Sequence, residues 1–214
     1  MFEIKQISIE PKKVIPFLNK KSLFKFHWHS IPKNMEKNEQ EEFIKKNIEP
    51  IYERIKNEIL EQDLLELRGV YSFVKCKRQE NNIIVYDDDN EFAKFNFESE
   101  NEIPFCFFCV TIGEKMSKKE KQLKDEGKYV DYLYYHGFGV CMAEAFAEYI
   151  HREIIDKSIE NNKQTKRYSF GYPECSELSN QKIIFKILYP EKIGIELTSS
   201  FMMDPEASVS AFVV

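Results

Sequence analysis

The chain has 214 residues and a formal net charge of −5, and its Lys runs are interleaved with Glu, so it lacks the basic stripe of a nucleic-acid-binding surface. Hydrophobic residues make up 43% of it, with 18 Phe and 11 Tyr among its aromatics, which excludes an intrinsically disordered chain. Five cysteines, a first ten residues with no apolar leader, and no run near the roughly 18 apolar residues of a membrane span predict a cytoplasmic protein with reduced thiols.

With seven Gly, no repeat and no Gly/Ser linker, residues 1–214 are expected to form one domain. Up to about Pro32 the chain reads as irregular or extended, ending in an aromatic cluster of Phe24, Phe26 and Trp28. Ile44, Ile48, Ile51, Ile55 and Ile59 then fall at helical spacing, and Pro50 inside that pattern predicts a kink or two abutting helices. Strands are expected over Leu67 to Lys75, over Asn82 to Tyr86 and around Phe92, Phe95 and Phe97, with turns at Asn81-Asn82 and at Asp87 to Asn90. Ile103 to Ile112 is apolar on both faces, as a central buried strand would be.

From Lys115 the pattern turns helical and breaks at Gly127. Tyr129 to about Lys157 reads as a long core helix, with Met142, Phe146, Ile150 and Ile154 at successive i+4 steps. A loop over Arg167 to Pro173 precedes a short helix from Ser179 to Leu188. The end reads as a hairpin, Ile193 to Phe201 against Ser208 to Val214, connected through Met203 to Glu206. Helices and strands arriving in blocks predict an α+β domain with a mostly antiparallel sheet flanked by helices.

The chain carries no Gly-rich phosphate loop and no dinucleotide fingerprint. Gly137-Phe-Gly139 lies inside the helical pattern, where small residues permit close packing. The Cys106-x-x-Cys109 pair would diverge to opposite faces of a strand and reads as core. Glu148-x-x-His151 lacks the second such pair a di-iron site needs, so Glu144, Glu148 and Arg152 read as a solvated, salt-paired helix face. His27-Trp28-His29, alternating in an extended segment, is expected at a surface or interface.

Arg167-Tyr-Ser-Phe-Gly171-Tyr172-Pro173 concentrates a fixed cation, three aromatics, a hydroxyl and a Gly-x-Pro constraint. An Arg fork suits a carboxylate, and an aromatic face suits a sulfonium or a base. The pattern Arg167-x-Ser169-x-Gly171-Tyr172-Pro173-x-Cys175 resembles a signature of the activation domain of cobalamin-dependent methionine synthase. Ala143-Glu-Ala-Phe-Ala-Glu-Tyr-Ile-His151 is similar to that family's long-helix signature. Ile193-Gly-Ile-Glu-Leu-Thr-Ser-Ser-Phe201 and Pro205-Glu-Ala-Ser-Val-Ser210 resemble its C-terminal pieces, with weaker echoes at Arg68 to Phe73 and Ile83 to Tyr86.

The resemblance implies a bent antiparallel sheet and a shallow site for S-adenosylmethionine. There its methyl group is presented to cobalamin while a flavodoxin-like donor supplies the electron. No aspartate-x-histidine-x-x-glycine cobalamin motif is present, because Tyr134 stands where its Asp would precede His136 and Gly139; the corrinoid is expected from a partner, a methionine synthase cobalamin module lacking its own activation domain. Carried over, Arg167 would clamp the methionyl carboxylate, Ser169 would offer backbone groups to adenine, and Gly171 and Tyr172 would line the sulfonium. Two positions depart from the family: Asn19, or a Lys beside it, stands for the aspartate that holds the ligand's amino group, and Val213 stands for a tyrosine. Three readings follow. The first is a trans-acting reactivation subunit of a methyltransferase. The second is a docking module for a corrinoid protein that has lost S-adenosylmethionine binding. The third is a related enzyme serving a different corrinoid methyltransferase or another small ligand.

Overall fold

The computed structural model describes residues 2–32, 35–99, 102–158 and 165–214. The N-terminal stretch is more regular than its sequence suggests. Strand β1 (Lys5–Ser8) leads into α1 (Pro11–Val14) with a 3-10 turn over Ile15–Phe17, then α2 (Lys20–Ser22) with a wider π turn over Leu23–His27. The expectation of an irregular or extended segment is therefore corrected. Pro11 and Pro16 sit in first turns, where a missing N–H costs nothing. Each helical piece is too short to display a 3.6-residue period.

Helix α3 (Lys37–Phe43) runs through a π turn over Ile44–Ile48 into α4 (Glu49–Glu61), with Pro50 in the first turn of α4. These are the abutting helices that Pro50 implied. Four strands follow, β2 (Arg68–Phe73), β3 (Lys75–Gln79), β4 (Asn82–Asp87) and β5 (Asn90–Asn96), then the fully buried β6 (Cys106–Thr111). Helix α5 (Glu114–Asp125) precedes the long α6 (Tyr129–Tyr149), which ends in a π turn over Ile150–Asp156. The C-terminal part holds β7 (Arg167–Tyr168), α7 (Gln181–Leu188), β8 (Glu196–Leu197), β9 (Met203–Asp204) and β10 (Ser208–Val213).

Five strands form one sheet in the order β1-β2-β6-β10-β7, β3 to β5 form a second, and β8 and β9 a small third; every pairing is antiparallel. The α+β reading holds. The terminal hairpin does not: β8 pairs only with β9, while β10 lies between β6 and β7. All six residues of β10 are buried, which suits a central strand and not an arm with one wet face.

Alternation along β6 splits its side chains between two cores. Cys106, Phe108 and Val110 join a helix-covered cluster with Phe138, Met142, Phe146 and Val213, whereas Phe107 and Cys109 face a second cluster containing Ile83, Val85, Phe95, Ile184 and Phe212. The two cysteines do diverge, and burial pushes both thiols up in pKa. Helix α6 lies against the first face. A Cβ on Gly137 would meet His27 Cβ at 2.9 Å and Trp28 Cδ1 at 2.9 Å, so glycine here permits the N-terminal turns to touch α6. Trp28 is buried and donates from Nε1 to Tyr134 O at 3.1 Å. The His27-Trp28-His29 segment is thus not extended: His27 closes the π turn, Trp28 is buried, and His29 turns at φ 49° and is exposed, so the surface expectation holds for His29 and not for Trp28. Among the described residues no helix is long and apolar enough to cross a membrane.

Candidate functional site

The loop singled out in the sequence leaves the far edge of the large sheet. Arg167 pairs with Val213 and Tyr168 with Phe212, so β7 is held by two residues of ladder plus the mutual Lys166–Val214 bonds (N→O 3.3 and 3.0 Å). Tyr168 stacks on Phe212 with centroids 5.9 Å apart and donates its hydroxyl to Glu102 at 2.8 Å. Ser169 donates from Oγ to Ser210 O at 2.9 Å. Phe170 turns into the second core, 5.4 Å from Phe212.

Gly171 then adopts φ +89°, a conformation open to glycine and costly to a residue with Cβ, and a Cβ there would also crowd Leu178 Cδ1 at 3.0 Å. The turn closes through Gly171 N→Cys175 O and Cys175 N→Tyr172 O, both at 2.8 Å. It leaves the Tyr172 ring 61% exposed. Arg167, Ser169, Gly171 and Tyr172 thus share one short, constrained loop.

Arg167 has its fork half used. Nη2 donates to Glu144 Oε2 on α6 at 2.9 Å, while Nη1 is buried and makes no hydrogen bond among the described residues. Sequence reasoning missed this partner: it grouped Glu144 with Glu148 and Arg152. Only the contact of β7 with α6 distinguishes them. Arg152 does pair with Glu148 at 2.9 Å, and also with Asp156 at 2.8 Å. Val213 is fully buried on the helix side, with no side-chain polar group. Asn19 spends its carbonyl oxygen capping α2, accepting from Ser22 N at 3.0 Å.

His151 is the second residue whose surroundings the sequence did not show. It is 1% exposed, its Nε2 lies 2.7 Å from Thr165 Oγ1, and its Nδ1 has no hydrogen-bond partner among the described residues. Burial, with Arg152 and Arg167 adding like charge, lowers its pKa despite the nearby carboxylates of Asp156 and Glu148. His136 goes the other way: its hydrogen bond to Glu120 at 3.1 Å raises its pKa.

A pH dependence follows from these signs. As pH falls through about 6.5, the unfolded chain protonates His151 before the folded one does, so stability drops toward the depressed folded value. The His136 contribution is fully present below about 6.5 and is lost as pH rises through its raised folded value. His151→Gln should therefore flatten the acid-side fall in urea midpoint between about pH 7 and pH 5.5. An unchanged slope would mean that His151 is not held neutral.

Comparison with known proteins bears on this arrangement. The family of the vitamin B12 dependent methionine synthase activation domain matches residues 96–214, more than half of the chain. The chain belongs to this family. The methionine synthases of Mycobacterium leprae (strain TN) and Mycobacterium tuberculosis (strain ATCC 25618 / H37Rv) are 31% and 32% identical to it over 127 residues. Those alignments cover half of this chain, which spans only 10% and 11% of the two relatives. The activation-domain match includes Arg167 to Val213 but not Asn19, nor the weaker echoes at Arg68 to Phe73 and Ile83 to Tyr86. The crystal structure of the MetH reactivation domain bound to AdoHcy superposes with a TM-score of 0.80 over 99% of this chain and 78% of that one. At 18% identity that likeness establishes the fold, including the N-terminal part that the family match leaves out.

Proposed function

We propose that this activation-domain chain, acting as one module over residues 1–214 in the cytoplasm, binds S-adenosylmethionine and serves in trans the cobalamin module of a methionine synthase that lacks its own activation domain. The reading is carried by the half-used fork of Arg167, whose buried Nη1 has no hydrogen-bond partner among the described residues and lies in the loop with an exposed aromatic and a glycine turn. A carboxylate reaching Nη1 would satisfy that donor and complete a charge-assisted pair. The bound ligand supplies an activated methyl group, and partner-borne cobalamin, reduced with an electron from a flavodoxin-like donor, supplies the nucleophile.

The chain's own work is then positional. Arg167 fixes the methionyl end, the Ser169 backbone faces adenine, and Gly171 lets the ligand approach without a Cβ in the way. The Tyr172 ring lies beside the sulfonium and attracts it. Asn19 offers no charge to the ligand's ammonium. Glu144, already beside Arg167, is the carboxylate that takes that part.

The neutral Asn19 and the buried apolar Val213 favour one alternative, a docking module for a corrinoid protein that has given up the small ligand. The trans role is tested by mixing the chain with a methionine synthase truncated after its cobalamin module, a reductant and S-adenosylmethionine. Return of the methylated corrinoid spectrum only when the chain is present supports it. A rate equal to the chain-free control counts against it.

A further inference from the structure

Thr165, two residues before Arg167, joins three buried or half-buried groups from the end of α6. Its hydroxyl donates to Asp156 Oδ1, its Oγ1 lies 2.7 Å from His151 Nε2, and its carbonyl accepts from Arg152 Nη1 at 3.3 Å. An ionised Asp156 only accepts, so the single hydroxyl proton goes to it and His151 must donate from Nε2. Burial works against the Asp156 charge, yet the bonds from Thr165 and Arg152 outweigh it and hold the carboxyl below its usual pKa. The tautomer is thereby set, and it leaves Nδ1 as the orphan acceptor already noted.

The π turn makes this possible. His151 and Asp156 are five residues apart, which in an α-helix would place them about 140° apart around the axis. Widening over Ile150–Asp156 brings both to one side, with Asp156 Oδ1 3.7 Å from His151 Nε2. Strand β7 needs such an anchor, being a two-residue edge strand.

We infer that His151, Asp156 and Arg152 form a clamp on Thr165 that fixes the start of β7 and so positions Arg167 for a ligand carboxylate. The inference rests on the proposed ligand reading: His151, Asp156 and Thr165 are positioning residues, acting only through Arg167. The hydroxyl and carbonyl of one residue therefore tie the helix tail to the start of β7.

The test pairs two ligands with two variants. S-adenosylhomocysteine carries the carboxylate and methylthioadenosine does not. Thr165→Val, nearly isosteric, removes both side-chain bonds; Thr165→Ser keeps them. Titration of wild type should show binding of both ligands. Thr165→Val should weaken S-adenosylhomocysteine about tenfold while changing methylthioadenosine less than about twofold, and Thr165→Ser should restore the wild-type value. Equal weakening of both ligands would mean local collapse, and no weakening of either would mean no clamp; each overturns the inference. Wild type that binds neither ligand would instead overturn the ligand reading, and the clamp's purpose with it.

Discussion

Phe212→Ala should lower stability by about 3–5 kcal/mol, the cost of emptying a large buried aromatic site. The side chain is fully buried on the second core face, and its ring lies 5.1 Å from Phe97, 5.4 Å from Phe170 and 5.5 Å from Phe95. Such contacts contribute packing beyond the area they bury, and few of these neighbours can collapse into the space, since Phe95 is held on β5, Phe97 in the chain just after it and Phe170 in the loop after β7. Urea unfolding monitored by circular dichroism would measure the loss. A change under about 1 kcal/mol would contradict a close-packed cluster here. Because Tyr168 stacks on the same ring, the variant should also loosen the base of the ligand loop at temperatures where the rest of the chain stays folded.

Arg167→Ala should weaken S-adenosylmethionine binding by about 1.5–3 kcal/mol, roughly 10- to 150-fold in Kd. The estimate is that of a charge-assisted bond to a partly buried guanidinium; Nη1 is buried although the side chain as a whole is 21% exposed. Arg167→Lys should recover part of the charge and none of the fork, so its affinity should fall between the two. Stability should change little in either variant, because the ion pair to Glu144 lies near the surface, where such pairs contribute under about 1 kcal/mol. An alanine variant that binds as tightly as wild type would remove Arg167 from the site.

What was readable from the sequence follows from how far each signal reaches along the chain. The run from Ile103 to Ile112 announced β6 because a strand buried on both faces has no polar alternation to hide it. The isoleucine period and Pro50 announced α4. The first 30 residues misled because helices of three or four residues show no period. β10 was misread because its partner β6 is distant in sequence, while β8, the nearer candidate, pairs with β9.

The loop over Arg167 to Pro173 stood out for a similar reason: its distinctive side chains are packed into seven consecutive residues. Glu144 and His151 did not. Helical spacing placed Glu144 on a solvated, salt-paired face, which it is, but could not show that its partner is Arg167 of β7; nor could it show the widened turn that carries His151 inward. Both contacts depend on the tertiary placement of one helix end. The positions of Asn19 and Val213 departed from the family in sequence, and the structure gives each a local occupation, a helix cap and a core contact.

The central claim is that Arg167 belongs to a working S-adenosylmethionine site, and calorimetric titration of the folded chain tests it most directly. Saturable binding of S-adenosylmethionine, with S-adenosylhomocysteine measuring the contribution of the sulfonium and Arg167→Ala abolishing most of the affinity, is the predicted result. No heat of binding up to millimolar ligand, with the chain shown to be folded, would contradict the claim and leave docking to a corrinoid protein as the reading to pursue.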